Sequence, residues 1–526
     1  MSRRTHLIAI VVATATVSGT AHAGGLFIPG VGSQAMGRAG AFVAKADDPS
    51  ALHHNPAGFA KVKGMAVHLG SNLVDFSLEF TRDGVYEDVE DMDLPWEGDA
   101  YPTVTNDAAR PSVGIGPLQA IPLIAVGSDL KGTVPGLSVG LGVVVPNSYP
   151  VRNIGADYQL EDPDAPPPPS RYDVVAQEAA TALPSVAAAY SIGDYLDIGA
   201  RFSFGFANVQ AISYTWAVPN FHEAAAEDGV FEVEVSDNFV PGFGFGLLFR
   251  PPGLSDRLEI GAAYSSALHI QAQGQGRTTL GSVAADPLNN GNVDQIIPVN
   301  TPACADGGEV GALATCLNLT LPQTATLGVR WVLQKSEKHG ELADIELDVK
   351  WEDWSAASDT EIIVDGRSEQ TGLFLNPSII RHGFQDVISV RLGGSYSIPM
   401  GENLIGVRAG VAHDTAAAPN SWQRLDIDGA ARTTIALGAA YQSKRYRIDI
   451  GGGMVMEGDR TVEACNPANN TEGCTPGSEP LPVAERTAPD PIQPLVNANQ
   501  QFQSPFNGGQ YSSGYLMVSL GVTTWF

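Results

Sequence analysis

Basic residues are scarce in this chain: 30 Lys and Arg stand against 58 Asp and Glu in 526 residues, a formal net charge of −28. A protein that grips nucleic acid needs clustered Lys and Arg to neutralise phosphates, so no nucleic-acid partner is expected. Beyond its first residues the sequence has no apolar run long enough for a membrane-crossing helix, which excludes a helical bundle in the bilayer. Apolar residues make up 44%, too many for bulk disorder. Glycine is abundant, at 58 residues, but shows no Gly-X-Y period, so a collagen-like chain is excluded. What remains is a large β-protein.

The first 23 residues read as an export leader, with Arg3 and Arg4, an apolar stretch from Leu7 to Val17, and Ala21-His22-Ala23 as an A-x-A cleavage site. About eleven apolar residues cannot cross a ~30 Å hydrocarbon core, so a membrane anchor is the poorer reading. Cysteine is nearly absent, and its placement suits an exported protein. Cys304 and Cys316 close one short loop, Cys465 and Cys474 another, and two local disulfides are expected in an oxidising compartment. Zinc would want closer cysteine spacing or a nearby His, so no metal and no cofactor is expected.

Strand after strand alternates apolar and polar residues. Leu516, Val518, Leu520, Val522 and Phe526 share one face of the closing segment, with Ser519, Gly521 and Thr523 on the other. Ile345, Leu347, Val349 and Trp351 alternate with Asp344, Glu346, Asp348, Lys350 and Glu352; Tyr446, Ile448 and Ile450 alternate with Arg447 and Asp449. Segments of about ten residues, greasy on one face and charged on the other, are what a transmembrane barrel with a polar lumen requires. Fourteen such strands are predicted, near 64–82, 112–127, 136–146, 182–193, 194–214, 238–250, 256–274, 319–333, 341–363, 385–399, 404–414, 430–443, 444–457 and 509–526. Short connections at 191–195, 400–403 and 442–445 contrast with long polar ones at 83–110, 147–181, 275–318 and 458–508, the asymmetry of periplasmic turns and external loops. Arg201, Arg330, Arg391, Arg408 and Arg447 are expected to point inward, among acids that would pair with them.

Ahead of the first strand lie about forty Gly/Ala-rich residues with no strand alternation, and such a segment could fill the lumen. It carries Gly37-Arg38-Ala39, Ala46-Asp47-Asp48 and Asn55-Pro56-Ala57-Gly58. With 321–331, 347–355, 407–419 and the closing aromatic strand, this string resembles the FadL family of outer-membrane transporters of long-chain fatty acids and other hydrophobic compounds. The resemblance spans essentially the whole chain after the leader. It implies a bacterial outer-membrane protein, an all-β fold with fourteen antiparallel strands, and an N-terminal hatch inside the lumen. The expected division is leader 1–23, hatch 24–62 and barrel 63–526.

The resemblance further implies a passive carrier, not an enzyme. It would capture apolar small molecules at external loops, hold them against the hatch and release them sideways beside a kinked third strand. For ligand contact we single out Phe27, Ile28, Phe42 and Phe59; for the lateral opening, Gly140, Gly142 and Pro146, since proline removes a ladder donor and glycine weakens strand packing. Lipid and lipopolysaccharide are the expected surroundings, the latter met by the acidic segment 83–99, and the chain is expected to act as a monomer. Gly136-Leu137-Ser138-Val139-Gly140 matches a hydrolase nucleophile pattern but runs on as a strand with no following helix, so it predicts no active site. The adjacent His53 and His54 lack further partners for a metal. The alternative function is a receptor or adhesin barrel whose loops matter more than its lumen.

Overall fold

The structure, a computed structural model, describes residues 25–86, 94–146, 148–155, 165–215, 229–279, 296–298, 304, 313–368, 378–418, 423–462 and 508–526. The leader, the acidic residues 87–93, and the Cys465–Cys474 pair lie outside the described residues.

One antiparallel sheet runs through the chain and closes on itself as a barrel of fourteen strands. In chain order these are β1 (Met65–Arg82), β2 (Leu118–Ser128), β3 (Leu137–Val144), β4 (Ala176–Ile192), β5 (Leu196–Thr215) and β6 (Gly229–Phe249). Four interrupted strands follow: β7 (Leu258–Ser265 and Leu268–Thr279), β8 (Leu313–Leu321 and Thr324–Ser336), β9 (Gly340–Glu352 and Asp359–Ser368) and β10 (Ser378–Arg381 and Val387–Met400). The last four, β11 (Asn403–Asp414), β12 (Arg432–Gln442), β13 (Tyr446–Val462) and β14 (Gly509–Trp525), are unbroken. Closure is made by β1 against β14, from Ala66 opposite Trp525 to Arg82 opposite Gly509.

Side-chain period two decides which face each residue takes. On β13, Ile448 and Ile450 are exposed outward while Arg447 and Asp449 are buried inward. A charge on the outer face would meet hydrocarbon and cost ~2–4 kcal/mol at mid-membrane, which is why the arginines and acids occupy one parity only. All fourteen strands fall where alternation puts them. Several extend past the predicted ends, β4 starting at Ala176 and β13 reaching Val462. These extensions lie beyond the apolar belt, where hydropathy no longer alternates. Cys316 lies on such an extension of β8 and is bonded to Cys304.

The leading segment, residues 25–64, contains α1 (Ser33–Met36), α2 (Ala51–His54) and a 3-10 turn, Pro56–Lys61. It is enclosed by the wall and touches inward-facing residues of β3, β5, β6, β7 and β9 to β14.

Candidate functional site

Each quoted piece of the leading segment is a fastening. Arg38 donates to Asp344 at 2.5 Å and to Glu346 at 3.0 Å, both on β9. Glu346 and Asp348 then accept main-chain N–H groups of residues 42 to 45, from Phe42 at 2.8 Å to Ala44 at 2.7 Å. Lys45 lies 3.0 Å from Asp47 and 3.1 Å from Asp344. Asp48 meets Arg447 of β13 at 2.5 Å and accepts from Ser50. Gln34 joins Asp47, Asp48 and Arg408 of β11. Gly37 packs on Gly438 of β12, an approach that side chains would prevent.

The Asn55-Pro56-Ala57 turn faces the other way. Asn55 donates to the carbonyls of Val43 at 2.9 Å and Leu247 of β6 at 3.1 Å, and its side-chain oxygen accepts from Ala57 N–H. Gly246 is required there, because a Cβ at that position would strike the Asn55 side chain. Gly140 and Gly142 serve the same end: they lie in the paired part of β3, where Phe59 and Leu52 press against them. Phe42 and Phe59 are fully buried in this packing, Phe42 edge-on to His54.

Above these contacts lies a partly open cavity of about 120 Å³. Phe27 and Ile28 line it; Phe42 and Phe59 do not. The remaining apolar lining comes from the wall, including Val144, Pro146, Leu183, Phe243, Leu268 and Leu321. Three cations face it: Arg201, Lys350 and Arg391. Lys350 is 2.7 Å from Glu352. Arg201 donates to the Leu52 carbonyl at 2.8 Å and to Ser265 at 3.2 Å, and Arg391 reaches Ser389 at 3.5 Å. Among the described residues neither arginine forms an ion pair, and each keeps a buried Nε with no partner. The expected lumenal pairing therefore holds for Arg330, Arg408 and Arg447 but not for these two.

Electrostatics inside the leading segment follow from burial and this uneven charge. Burial keeps His53 well below the usual imidazole range, helped by His54 and by Arg201, Lys350 and Arg391 nearby. Burial likewise pushes His54 down to about 4, even though the Val31 carbonyl 2.7 Å from its Nε2 favours the protonated ring. Burial opposes the charge on Asp48, but Arg447 chiefly outweighs it and holds the carboxyl below its ordinary value.

The third strand leaves the wall beside this cavity. Its pairing with β2 ends at Val144 opposite Leu123, and it rejoins β4 only at Arg152, opposite Gln177. Pro146, inside that departure, cannot donate a ladder hydrogen bond. Sequence reasoning missed Leu183, Leu268 and Leu321 as cavity residues, and also the interruptions of β7 to β10. Pro241 and Pro322, prolines within strand patterns, were the available signal.

A closed barrel with an apolar outer belt, a polar inner face and its own leading segment fastened within defines an outer-membrane β-barrel. The model of the outer membrane protein transport protein family (OMPP1/FadL/TodX) matches residues 14–479, and the chain belongs to that family. Among solved structures it is similar to a Pseudomonas aeruginosa FadL homologue, at 17% identity and TM-score 0.67 over 95% of this chain and 100% of that one. It is similar also to the Ralstonia pickettii toluene transporter TbuX, at 13% and 0.57 over 95% and 99%. The Pseudomonas putida toluene transporter TodX matches at 13% and 0.56 over 95% and 100%. At these identities the likeness shows the fold. A comparison with curated proteins gives no match.

Proposed function

We propose that the chain carries long-chain carboxylates across the outer membrane, the leading segment serving as a hatch that closes the lumen beneath the cargo. The observation that carries this reading is the pair Arg201 and Arg391: two cations on the wall of a mixed polar and apolar cavity, neither bonded to a carboxylate among the described residues, with Asp348 on the same wall. An uncompensated buried charge is costly, and an anionic headgroup lodged between them relieves that cost. The alkyl chain then lies along Phe27, Ile28, Leu183 and Leu268. Cargo arrives from the end that carries the long loops and leaves beside Pro146, where β3 parts from β2. Each methylene that passes from water into lipid releases ~0.8 kcal/mol, so the carrier needs no energy source.

The test is native mass spectrometry of the purified full chain offered palmitate and hexadecane together. Palmitate is expected to be retained, and Arg391→Gln is expected to weaken it about tenfold or more, the loss of one charged hydrogen bond. Preferential retention of hexadecane, with Arg391→Gln indifferent, points instead to neutral hydrocarbons and overturns the carboxylate reading.

A further inference from the structure

The departure of β3 is not the only breach beside the cavity among the described residues. Between β6 and β7 the ladder stops after Ser265 opposite Gly244 and resumes at Gln273 opposite Ser236. Residues 237–243 and 266–272 therefore face each other without ladder pairing. The cause is local. Ser266 N–H donates to the Phe243 carbonyl at 2.9 Å, so Phe243 directs its main-chain groups toward β7. Pro241, two residues away, has the same direction and no N–H to give. On its other edge β6 also slips against β5, where Gly205 faces Val240 and Ala207 faces Asp237, and the extra residue is a bulge, which bends a strand and disrupts its ladder.

Side chains take the place of the missing ladder. The Asp237 carboxylate reaches across and accepts the Gln271 N–H at 2.8 Å; its other oxygen accepts the Phe239 N–H at 2.9 Å. The Ser266 hydroxyl accepts the Phe243 N–H at 3.0 Å. Leu268 closes the space between the strands by packing against Gly242, where a Cβ would collide with it. Phe243 shows what lies behind. It is about half exposed on the outer face of the barrel, yet it borders the internal cavity together with Gly242, Ser265, Ser266 and Leu268. The wall is one side chain thick at this point.

We infer that β6 and β7 frame a second side window, latched by Asp237 and stoppered by Leu268, through which an alkyl chain passes between the cavity and the bilayer. This rests on the cargo reading above, and the two can fail separately. The window opens at the upper edge of the apolar belt: below it β6 presents Phe243, Phe245 and Leu247 outward, above it Glu234 and Glu232. A latch made of hydrogen bonds to one carboxylate yields more easily than a seven-residue ladder, and a single leucine can change rotamer without moving the backbone.

The experiment loads a diazirine-tagged palmitate onto the full chain in phosphatidylethanolamine–phosphatidylglycerol vesicles, irradiates, and maps adducts by peptide mass spectrometry. Leu437 on β12, exposed to lipid and remote from the cavity, reports labelling by probe dissolved in the bilayer. Adducts are expected on Phe27 and Ile28, and on Phe239 well above the level on Leu437. In Asp237→Ala the Phe239 signal is expected to rise about tenfold, from loss of a charged hydrogen bond. In Leu268→Trp the Phe239 signal, taken as a ratio to that on Phe27, is expected to fall to the Leu437 level. Labelling of Phe27 with Phe239 and Leu437 equal in all three proteins overturns the window alone. No adduct on Phe27 or Ile28 overturns the cargo reading and the window with it. The unaltered protein decides between these even if a variant fails to fold.

Discussion

The two sides of the barrel hold the leading segment by different means. Toward β9, β11 and β13 the contacts are charged: Arg38 with Asp344 and Glu346, Lys45 with Asp344, Asp48 with Arg447. Toward β3, β5 and β6 there is no ion pair among the described residues, only close packing and hydrogen bonds to carbonyls: Phe59 on Gly140, Leu52 on Gly142, Asn55 on the Leu247 carbonyl and Arg201 on the Leu52 carbonyl. Strands β11 to β14 are unbroken, whereas the wall gives way at β3 and again between β6 and β7. The cavity borders the second side, with Lys350 of β9 and Arg391 of β10 facing it from across the lumen. Ion pairs fix position because their geometry tolerates little displacement, and apolar contacts leave room for one side to yield. The molecule thus separates an anchoring flank from a flank where the wall can part.

The largest effect should come from breaking the anchoring flank. Arg38→Ala leaves Asp344 and Glu346 short of their shared cation in a buried setting, and removal of one partner from such a pair costs ~3–5 kcal/mol. We expect the leading segment to become protease-sensitive while the barrel keeps its heat-resistant folded mobility in gel electrophoresis. An unaltered cleavage pattern breaks the distinction between the flanks. On the yielding flank, Asn55→Ala loses donations to two carbonyls and the cap on Ala57 N–H, at roughly 1–3 kcal/mol. Gly140→Val presses on Phe59, and overpacking of this kind costs ~1–3 kcal/mol. Both should loosen the 3-10 turn, read as faster amide exchange at residues 56–61, without releasing residues 33–45. Exchange that rises equally in both stretches means the flanks are not independent.

How much of this was legible beforehand depended on the range of the physics involved. The outward faces could be read residue by residue, since Ile448, Ile450 and their like are fixed by a two-residue period and a lipid boundary. The string Gly37-Arg38, Asp47-Asp48, Asn55-Pro56-Ala57 pointed to the fastenings, though what each fastens to required the fold: Arg38 and Asp344 are 306 positions apart. Inward arginines were foreseen, but not which were left without an acid. That depends on neighbours in space, and Arg201 and Arg391 look no different in sequence from Arg408. Gly140 and Gly142 were read as the opening; the structure places them in the paired part of β3 under Phe59 and Leu52, and the departure starts beyond Val144. Glycine signals close approach as well as weak pairing, and sequence does not separate the two.

The smallest expected effect is pH-dependent and lies between the flanks, at His54. Its pKa in the folded protein is about 4, because burial disfavours the charged ring more than the Val31 carbonyl favours it. The free imidazole titrates near 6.5, so the loosened segment binds the proton more readily than the seated one. Stability from this residue is therefore complete above about pH 6.5 and declines as pH falls toward 4. At pH 5.5 the His54 contribution to the open fraction should be at most about tenfold, ~1.4 kcal/mol, because the half-buried ring keeps some solvent; His53 adds in the same direction. Hydrogen exchange of residues 51–55 at pH 7.5 and 5.5, corrected for intrinsic rates, measures it. His54→Gln should reduce the difference, since glutamine donates to the Val31 carbonyl without titrating, and His53→Gln added to it should abolish the rest, because burial also holds the His53 ring neutral. Asp48 adds a second decline at lower pH: its carboxyl is held below the ordinary ~4, so its contribution is present above that value and lost beneath it. A variant that exchanges faster only below pH 4 would assign the effect to the Asp48–Arg447 pair on the anchoring flank, and not to the imidazole.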